Sequence, residues 1–366
     1  MPSKIAFEAL CSTTAMGIMP HRNVDRALEL AMSLDIPYWP QLPNLGYYED
    51  MYAQASEHFP GVAVDVDNKR IIFNSVKFEQ ELIDYSTRMA DPAIFSLNEA
   101  HSVVYHRFLR EDLSRFAAIR GQVIGPVSYG FKIMDENNMP VIYSDQVRPL
   151  LFDFISRKVN AQYHELSAKN PNAFVWLDEP GLGWVFSGLS GFSDVRAKEE
   201  YHDFLSALDG PPALHLCASV NLPYLLSLGV AILSFDAFQM DVMPKGYAES
   251  VAGYVKKGGV ISWGIVPTDS FSLAAETPET LTTRLLNYWD VVAANSDVSA
   301  SLIARQSLIA PARCSLKNLG QVGALDEKSR STLKSAPDST IEERSVELAF
   351  DYLRQISQSL KHHFGF

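Results

Sequence analysis

Cysteine is scarce in this chain, and the few cysteines present do not suit a disulfide framework. Only three occur among 366 residues: Cys11, Cys217 and Cys314. An odd number cannot all pair within one chain, and disulfide frameworks belong to oxidising compartments. We therefore expect a cytoplasmic protein whose thiols are reduced.

Long apolar runs and an excess of positive charge are also absent. No run approaches the roughly 18 apolar residues that span a bilayer. The first residues, Met1–Lys4, lead into a strand-like segment without the apolar core of a signal peptide. Acidic residues outnumber basic ones by 43 to 31, and the formal net charge is -12. This balance argues against a nucleic-acid backbone as ligand, so we expect neither a nucleic acid nor a membrane as partner.

Short apolar segments alternate with amphipathic stretches, which predicts an α/β fold with a parallel sheet. Eight candidate strands are each followed by helical material: Ile5–Leu10, Pro37–Leu42, Ile119–Pro126, Ala173–Leu177, Ala213–Ala218, Ala231–Asp236, Val260–Ile265 and Leu308–Ala310. A right-handed (β/α)8 TIM barrel is the natural closure of such units, so we predict one barrel domain over residues 1–366. Gly61–Val66 and Arg70–Asn74 flank the turn residues Asp67–Lys69, which predicts an inserted β-hairpin near residues 61–75.

Four potential metal ligands lie in, or shortly after, three of the predicted strands. His215 and Cys217 are two residues apart, so in a strand both side chains point to one face. Asp236 ends the next strand, and Cys314 follows the last one. The active site of a TIM barrel lies at the carboxyl ends of its strands, and zinc accepts N, S and O ligands, so the pattern predicts a zinc site at the barrel mouth. The simpler alternative is that the cysteines are core residues and that Asp236 caps a turn. We expect Cys11, in the first predicted strand, to be a bystander packed near the barrel mouth.

Three further residues are predicted to face the same mouth. Asp178 ends the fourth strand, where its carboxylate either holds a substrate ammonium group or begins a turn before Pro180. His21 lies in the first loop, where it either meets a substrate, with a catalytic role, or is solvated. Ser128 follows Gly125, whose missing side chain lets the backbone approach a ligand, although a plain turn explains the same residues.

The chain resembles the methionine synthase and uroporphyrinogen decarboxylase-like barrel superfamily. It is most similar to the catalytic C-terminal half of cobalamin-independent methionine synthase, from Gly17-Ile18-Met19-Pro20-His21 to Cys314-Ser315-Leu316-Lys317. In that family a His-x-Cys pair, an acidic residue one strand later and a final Cys bind zinc. The resemblance therefore implies His215, Cys217, Asp236 and Cys314 as ligands. It also implies that Asp178, in Leu177-Asp178-Glu179-Pro180, binds the amino group of homocysteine.

The chain departs from the family pattern at several positions. Ile18 stands where the family has a Ser that helps to hold the substrate carboxylate, so the loop backbone at Gly17 and Ile18, or His21, would have to replace that Ser. Asp236 stands where Glu is usual. The segment Ser262–Pro267 lacks the family's acid/base His. We expect no counterpart of the N-terminal half that helps to bind folate, and in this respect the chain resembles the core methionine synthases, thought to take the methyl group from a corrinoid.

The resemblance and the predicted ligands together imply zinc-dependent methyl transfer to a thiol. Zinc lowers the pKa of a bound thiol, and the thiolate is the nucleophile. The expected acceptor is homocysteine, which becomes methionine, and the expected donor is methylcobalamin or a methylated corrinoid protein. Two alternatives stay open. One is a corrinoid-dependent methyltransferase with another thiol acceptor, such as coenzyme M. Ile18 supports this alternative, because coenzyme M has no amino-acid group that would need the family's Ser. The other is a non-catalytic zinc- or corrinoid-binding barrel, which the missing His favours.

Overall fold

The computed structural model describes residues 5–185, 194–217, 221–314 and 338–366. Seven strands form one sheet in the order β1-β9-β8-β7-β6-β5-β4, and every neighbouring pair is parallel. They are β1 (Ser12–Thr13), β4 (Ile119–Ile124), β5 (Ala173–Asp178), β6 (Pro212–Leu216), β7 (Ile232–Phe235), β8 (Val260–Val266) and β9 (Ser307–Pro311). The inner strands are buried along nearly their whole length, as expected for parallel strands covered on both faces. The α/β prediction is thereby confirmed.

Helices separate the strands and cover the outside of the sheet. They are α1 (Val24–Met32), α2 (Met51–Ser56), α3 (Ser75–Arg88), α4 (Val103–Phe108), α5 (Pro126–Lys132), α6 (Val147–Ser167), α7 (Leu182–Val185), α8 (Asp194–Ser206), α9 (Leu222–Ser227), α10 (Lys245–Lys256), α11 (Ser270–Ala275), α12 (Pro278–Ala294), α13 (Ala300–Arg305) and α14 (Asp338–Phe364). Short 3-10 helices occur at Tyr47–Glu49, Pro92–Phe95 and Val141–Tyr143. Within the described ranges, none of the helices has both the length and the apolar character of a membrane span.

The predicted second strand, Pro37–Leu42, does not form a regular strand, so the sheet is not a full eight-stranded barrel. This segment makes only isolated bridges, one of them between Tyr38 and Arg120 of β4. Ile36 donates its N–H to the Thr13 carbonyl of β1 (2.9 Å), and Arg120 donates to the Pro37 carbonyl (3.0 Å). The segment therefore lies between the two edge strands of a curved sheet. Proline has no N–H to donate, which explains why residues 37–42 cannot form a continuous ladder.

The first predicted strand is also wrong in its position. Strand β1 comprises Ser12–Thr13, whereas Ile5–Leu10 was expected to be extended. Leu10 and Cys11 have φ values of 44° and 55°, in the left-handed region that a strand excludes. Cys11 is fully buried, but it precedes β1 and donates to the Ala304 carbonyl before β9, so it lies at the amino ends of the strands and not near the barrel mouth, where it was expected.

The inserted hairpin is confirmed. Strand β2 (Val62–Asp65) pairs antiparallel with β3 (Arg70–Phe73), and Asp65 accepts hydrogen bonds from Asn68 and Arg70 across the turn. The hairpin forms a separate two-stranded sheet that packs on α2. It is not part of the barrel-like sheet.

Candidate functional site

The carboxyl ends of three neighbouring strands bring polar residues together. Asp178 is the last residue of β5, and its Cα lies opposite His215 on β6. His215 lies opposite Ser234 on β7. Cys217 follows the end of β6 directly, and Asp236 follows the end of β7. Because the strands are parallel, all these residues lie at the same edge of the sheet.

Cys217 is surrounded by other residues of the predicted site. Burial is the main cause that raises the pKa of its thiol to about 12, and the nearby Cys314, Asp178 and Asp236 raise it further. Arg313 acts in the opposite direction. Cys217 and Cys314 are both partly exposed. The Cys217 thiol is therefore protonated near neutral pH, and two carboxylates and a second sulfur lie near enough for their charges to act on it.

His215 is buried and oriented by a neighbour. Its Nδ1 lies 3.0 Å from the Ser234 hydroxyl, and its ring meets the Trp176 ring edge-on, with centroids 5.9 Å apart. Burial, assisted by the Arg120 cation, lowers the pKa of His215 to about 3, so the imidazole is neutral. A neutral imidazole whose Nδ1 is engaged leaves Nε2 to meet a ligand, and this is the form that binds metals.

Asp236 is engaged by a cation. Arg313 donates from Nε to Asp236 Oδ2 at 2.6 Å, and the Gln239 backbone N–H donates to Oδ1 at 3.1 Å. The Asp236 side chain is 2% exposed and that of Arg313 is 34% exposed. Among the described residues, no three His, Cys, Asp or Glu side chains converge closely enough to hold a metal ion. The donor types of the predicted site suit zinc. Zinc binding would require Asp236 to leave Arg313 and the four side chains to draw closer together.

Asp178 lies above a buried arginine that sequence reasoning missed. Burial raises the pKa of Asp178 to about 7, and the charge of Arg120 partly opposes this. The Arg120 guanidinium carbon lies 4.5 Å from the centre of the Tyr38 ring and 4.4 Å from that of the Trp176 ring. An arginine inside Ile119–Ile124, where Gln122 is the other polar residue, was the available signal, because an arginine on a buried strand needs a partner.

Ser128 is held by Glu179, another residue without a predicted role. The Ser128 backbone N–H and hydroxyl donate to one Glu179 oxygen at 2.8 and 2.6 Å, and the Val127 N–H donates to the other at 3.1 Å. Glu179 is fully buried, and burial raises its pKa to about 7. The Ser128 hydroxyl thus links α5 to the end of β5, and its substrate role remains a prediction.

The predicted residues of the first loop lie in two different places. Gly17 accepts a hydrogen bond from the Gln41 N–H (2.8 Å), and a Cβ at Gly17 would lie 2.7 Å from Gln122 Cγ. Ile18 is partly buried and bridges to Gln41. His21 instead lies near α14, where burial lowers the pKa of its imidazole and the charges of Glu343 and Glu347 partly oppose this. Gly17 and Ile18 therefore lie beside the β4 end of the sheet.

His21 is buried, yet neither of its ring nitrogens has a hydrogen-bond partner in the described part of the chain. No contact there joins it to Asp178, and its predicted catalytic role stays a prediction.

Comparison with known proteins identifies no family for the chain. No model of a known protein family matches it, and no curated protein matches it. Among solved structures it is similar to a B12-independent methionine synthase from Shewanella sp. W3-18-1, in complex with selenomethionine. The two are 14% identical, with a TM-score of 0.42, over 67% of this chain. The match spans 63% of the length of that synthase.

Proposed function

We propose that this protein transfers a methyl group to a thiol at the carboxyl edge of the sheet, with zinc held by His215, Cys217, Asp236 and Cys314. One observation carries the proposal. Cys314, Asp178 and Asp236, which belong to the ends of three other strands, all act on the Cys217 thiol, and the neutral His215 lies on the strand that Cys217 directly follows, opposite Asp178. Nitrogen, sulfur and oxygen are the ligand types that zinc accepts in proteins. When bound, zinc supplies a Lewis acid that stabilises the thiolate of an acceptor thiol.

The residues of this chain would prepare such a site in three ways. Ser234 fixes the ring of His215, so that Nε2 rather than Nδ1 is presented. The Cys217 thiol, whose pKa burial raises to about 12, must lose its proton on metal binding. Asp236 must exchange Arg313 for the metal, because one carboxylate cannot give its best contact to both cations.

Asp178 would orient the acceptor. It is partly exposed at the end of β5 and faces the same edge as Cys217. A carboxylate there forms a charge-assisted bond with the ammonium group of an amino-acid thiol. The acceptor that we propose is homocysteine, and the donor is methylcobalamin or a methylated corrinoid protein docked at the open edge.

The test is a direct assay of metal binding and methyl transfer. Purified protein is loaded with zinc, desalted and given methylcobalamin with homocysteine. The proposal expects bound zinc and formation of methionine. A second assay offers 2-mercaptoethanesulfonate in place of homocysteine. Zinc binding with methyl transfer to this thiol alone would show that the acceptor is not homocysteine. Failure to bind zinc would refute the proposed site.

A second candidate function is a zinc- or corrinoid-binding protein without turnover. The segment Ser262–Pro267, at the end of β8, favours it, because it contains no histidine that could act as an acid or base in turnover. The same assay separates the two functions: the second candidate binds zinc or cobalamin and alkylates no thiol.

A further inference from the structure

Three buried polar atoms on the inner face of the sheet have no hydrogen-bond partner among the described residues. They are Arg120 Nη2, Trp176 Nε1 and Ser262 Oγ. Arginine and tryptophan nitrogens only donate hydrogen bonds, so two of these three atoms require an acceptor. Buried donors are rarely left unpaired in proteins, and each such case needs an explanation such as a bound ligand, ion or water.

These atoms lie directly below the candidate site. Trp176 precedes Asp178 by two residues on β5, so both side chains point to the same face. The Trp176 ring contacts both the Arg120 guanidinium and the His215 ring. Ser262 lies opposite Ser234, the partner of His215. The three unpaired atoms therefore form the floor of the site that Asp178 and His215 border from above.

The Arg120 guanidinium is fixed in place but not neutralised. Its Nε donates to the Thr14 hydroxyl (3.0 Å), and Nη1 donates to Gln122 Oε1 (3.1 Å). Both partners are uncharged, and in the described part of the chain no carboxylate forms an ion pair with Arg120. Asp178 is the carboxylate whose charge reaches it. A buried cation held by neutral groups is costly, so the remaining Nη2 is a strong site for an anion.

We propose that Arg120 Nη2 and Trp176 Nε1 bind the carboxylate of the acceptor whose ammonium group Asp178 holds. This inference rests on the proposed function and adds to it two residues that select for the carboxylate. A fixed cation and a fixed carboxylate, one above the other, complement the two charges of an amino-acid zwitterion.

The burial of the residues agrees with this orientation. Arg120 and Trp176 are each 1% exposed, whereas Asp178, Cys217 and Cys314 are partly exposed. A ligand that enters from the open edge with its carboxylate foremost would leave its sulfur near the two cysteines. Arg120 would then supply the carboxylate contact that Ile18 cannot make.

Binding of three thioethers to the full-length protein tests the inference without any turnover. The probes are L-methionine, 3-(methylthio)propylamine, which lacks the carboxylate, and 4-(methylthio)butanoate, which lacks the ammonium group. Calorimetric titration should show at least ~10-fold weaker binding when either group is missing, the loss expected for a charged hydrogen-bonding partner. Equal affinity for L-methionine and the amine would overturn the inference, since the floor would then hold only water.

Variants assign the effect to Arg120. Arg120→Met should abolish the preference for L-methionine over the amine, and Arg120→Lys should retain part of it. Arg148→Met is the matched control, because Arg148 is also buried but pairs with Asp145 and Glu200 away from the site. It should keep the full preference. A preference that survives in Arg120→Met would refute the role of Arg120. If Arg120→Met does not fold, the titrations of the unaltered protein with the three thioethers still test whether the site selects for the carboxylate.

Two outcomes separate this inference from the proposed function. Selective binding of L-methionine by a protein that binds no zinc and transfers no methyl group would refute the proposed function and leave the amino-acid site standing. Zinc binding and methyl transfer without selectivity for the carboxylate would refute the inference alone. Tighter binding of 2-mercaptoethanesulfonate than of homocysteine would also overturn it, because a sulfonate thiol offers Asp178 no ammonium group.

Discussion

At the scale of single residues, Cys217 is the most direct test of the metal site. Cys217→Ser replaces a sulfur ligand by a hydroxyl, which binds zinc poorly at neutral pH. We expect zinc content to fall from about one per chain to below ~0.2 per chain, measured by mass spectrometry of the desalted protein. Cys11→Ser is the control, because Cys11 is buried against the Ala304 carbonyl and should not alter the zinc content. Equal zinc in Cys217→Ser and the unaltered protein would refute the ligand assignment.

The ion pair between Arg313 and Asp236 leads to a prediction about stability. Arg313→Met leaves the nearly buried Asp236 carboxylate without its cation. We expect the free energy of unfolding of the metal-free variant to fall by about 1–3 kcal/mol, a value reduced for the partial exposure of Arg313. Added zinc should restore more stability to this variant than to the unaltered protein, since the carboxylate is already released.

Chemical denaturation with and without zinc measures both effects. Arg305→Met is the control, because Arg305 and its partner Glu8 are both mostly exposed and should change stability by less than about 0.5 kcal/mol. A zinc response identical in Arg313→Met and the unaltered protein would show that Asp236 does not bind the metal.

The raised pKa of Asp178 predicts how stability depends on pH. Burial moves this pKa from 3.8 to about 7, so between these values the folded chain binds more protons than the unfolded chain. The free energy of unfolding contributed by this group is therefore fully present at low pH and is lost as pH rises through about 7. An asparagine side chain does not titrate, so the Asp178→Asn variant does not lose this contribution as pH rises. Its free energy of unfolding, relative to that of the unaltered protein, should therefore increase with pH.

Urea denaturation of the metal-free proteins at several pH values checks this expectation. Asp203→Asn, at a side chain that is 89% exposed, should follow the unaltered protein throughout. Parallel curves for Asp178→Asn and the unaltered protein would mean that the Asp178 carboxyl group is not perturbed by folding.

At the scale of elements, Glu179 joins the end of β5 to the start of α5. Its buried carboxylate accepts three hydrogen bonds from Val127 and Ser128 in the first turn of that helix. Glu179→Ala removes all three and leaves a void, so we expect the free energy of unfolding to fall by about 2–4 kcal/mol. Ser128→Ala, which removes only the hydroxyl, should lower it by about 1 kcal/mol. The exposed Glu199→Ala serves as control in the same urea titration, and equal stability of all three would contradict this account.

The elements also show what the sequence could predict. Strands β4 to β9 and the hairpin were found from apolar runs and turn residues, because such patterns are local. The segment 37–42 was assigned as a strand from the same pattern, although its two prolines remove the donors that a ladder requires. The left-handed backbone at Leu10 and Cys11 has no comparable signal, since neither residue favours that conformation by itself.

At the scale of the whole molecule, the sequence predicts where the candidate site lies, but not which contacts its residues make. The rule that strand ends converge brings Asp178, His215, Cys217 and Asp236 to one edge, as the parallel sheet confirms. The pairing of Asp236 with Arg313, 77 positions away, depends on tertiary structure that no local pattern contains. The same is true of Arg120, whose aromatic neighbours come from two other segments.

The most direct test of the central claim is the zinc content of the loaded, desalted protein, measured together with methionine formation from methylcobalamin and homocysteine. The account predicts about one zinc per chain and zinc-dependent formation of methionine. A protein that retains no zinc after loading would contradict it, because the residues around Cys217 would then have no metal to hold.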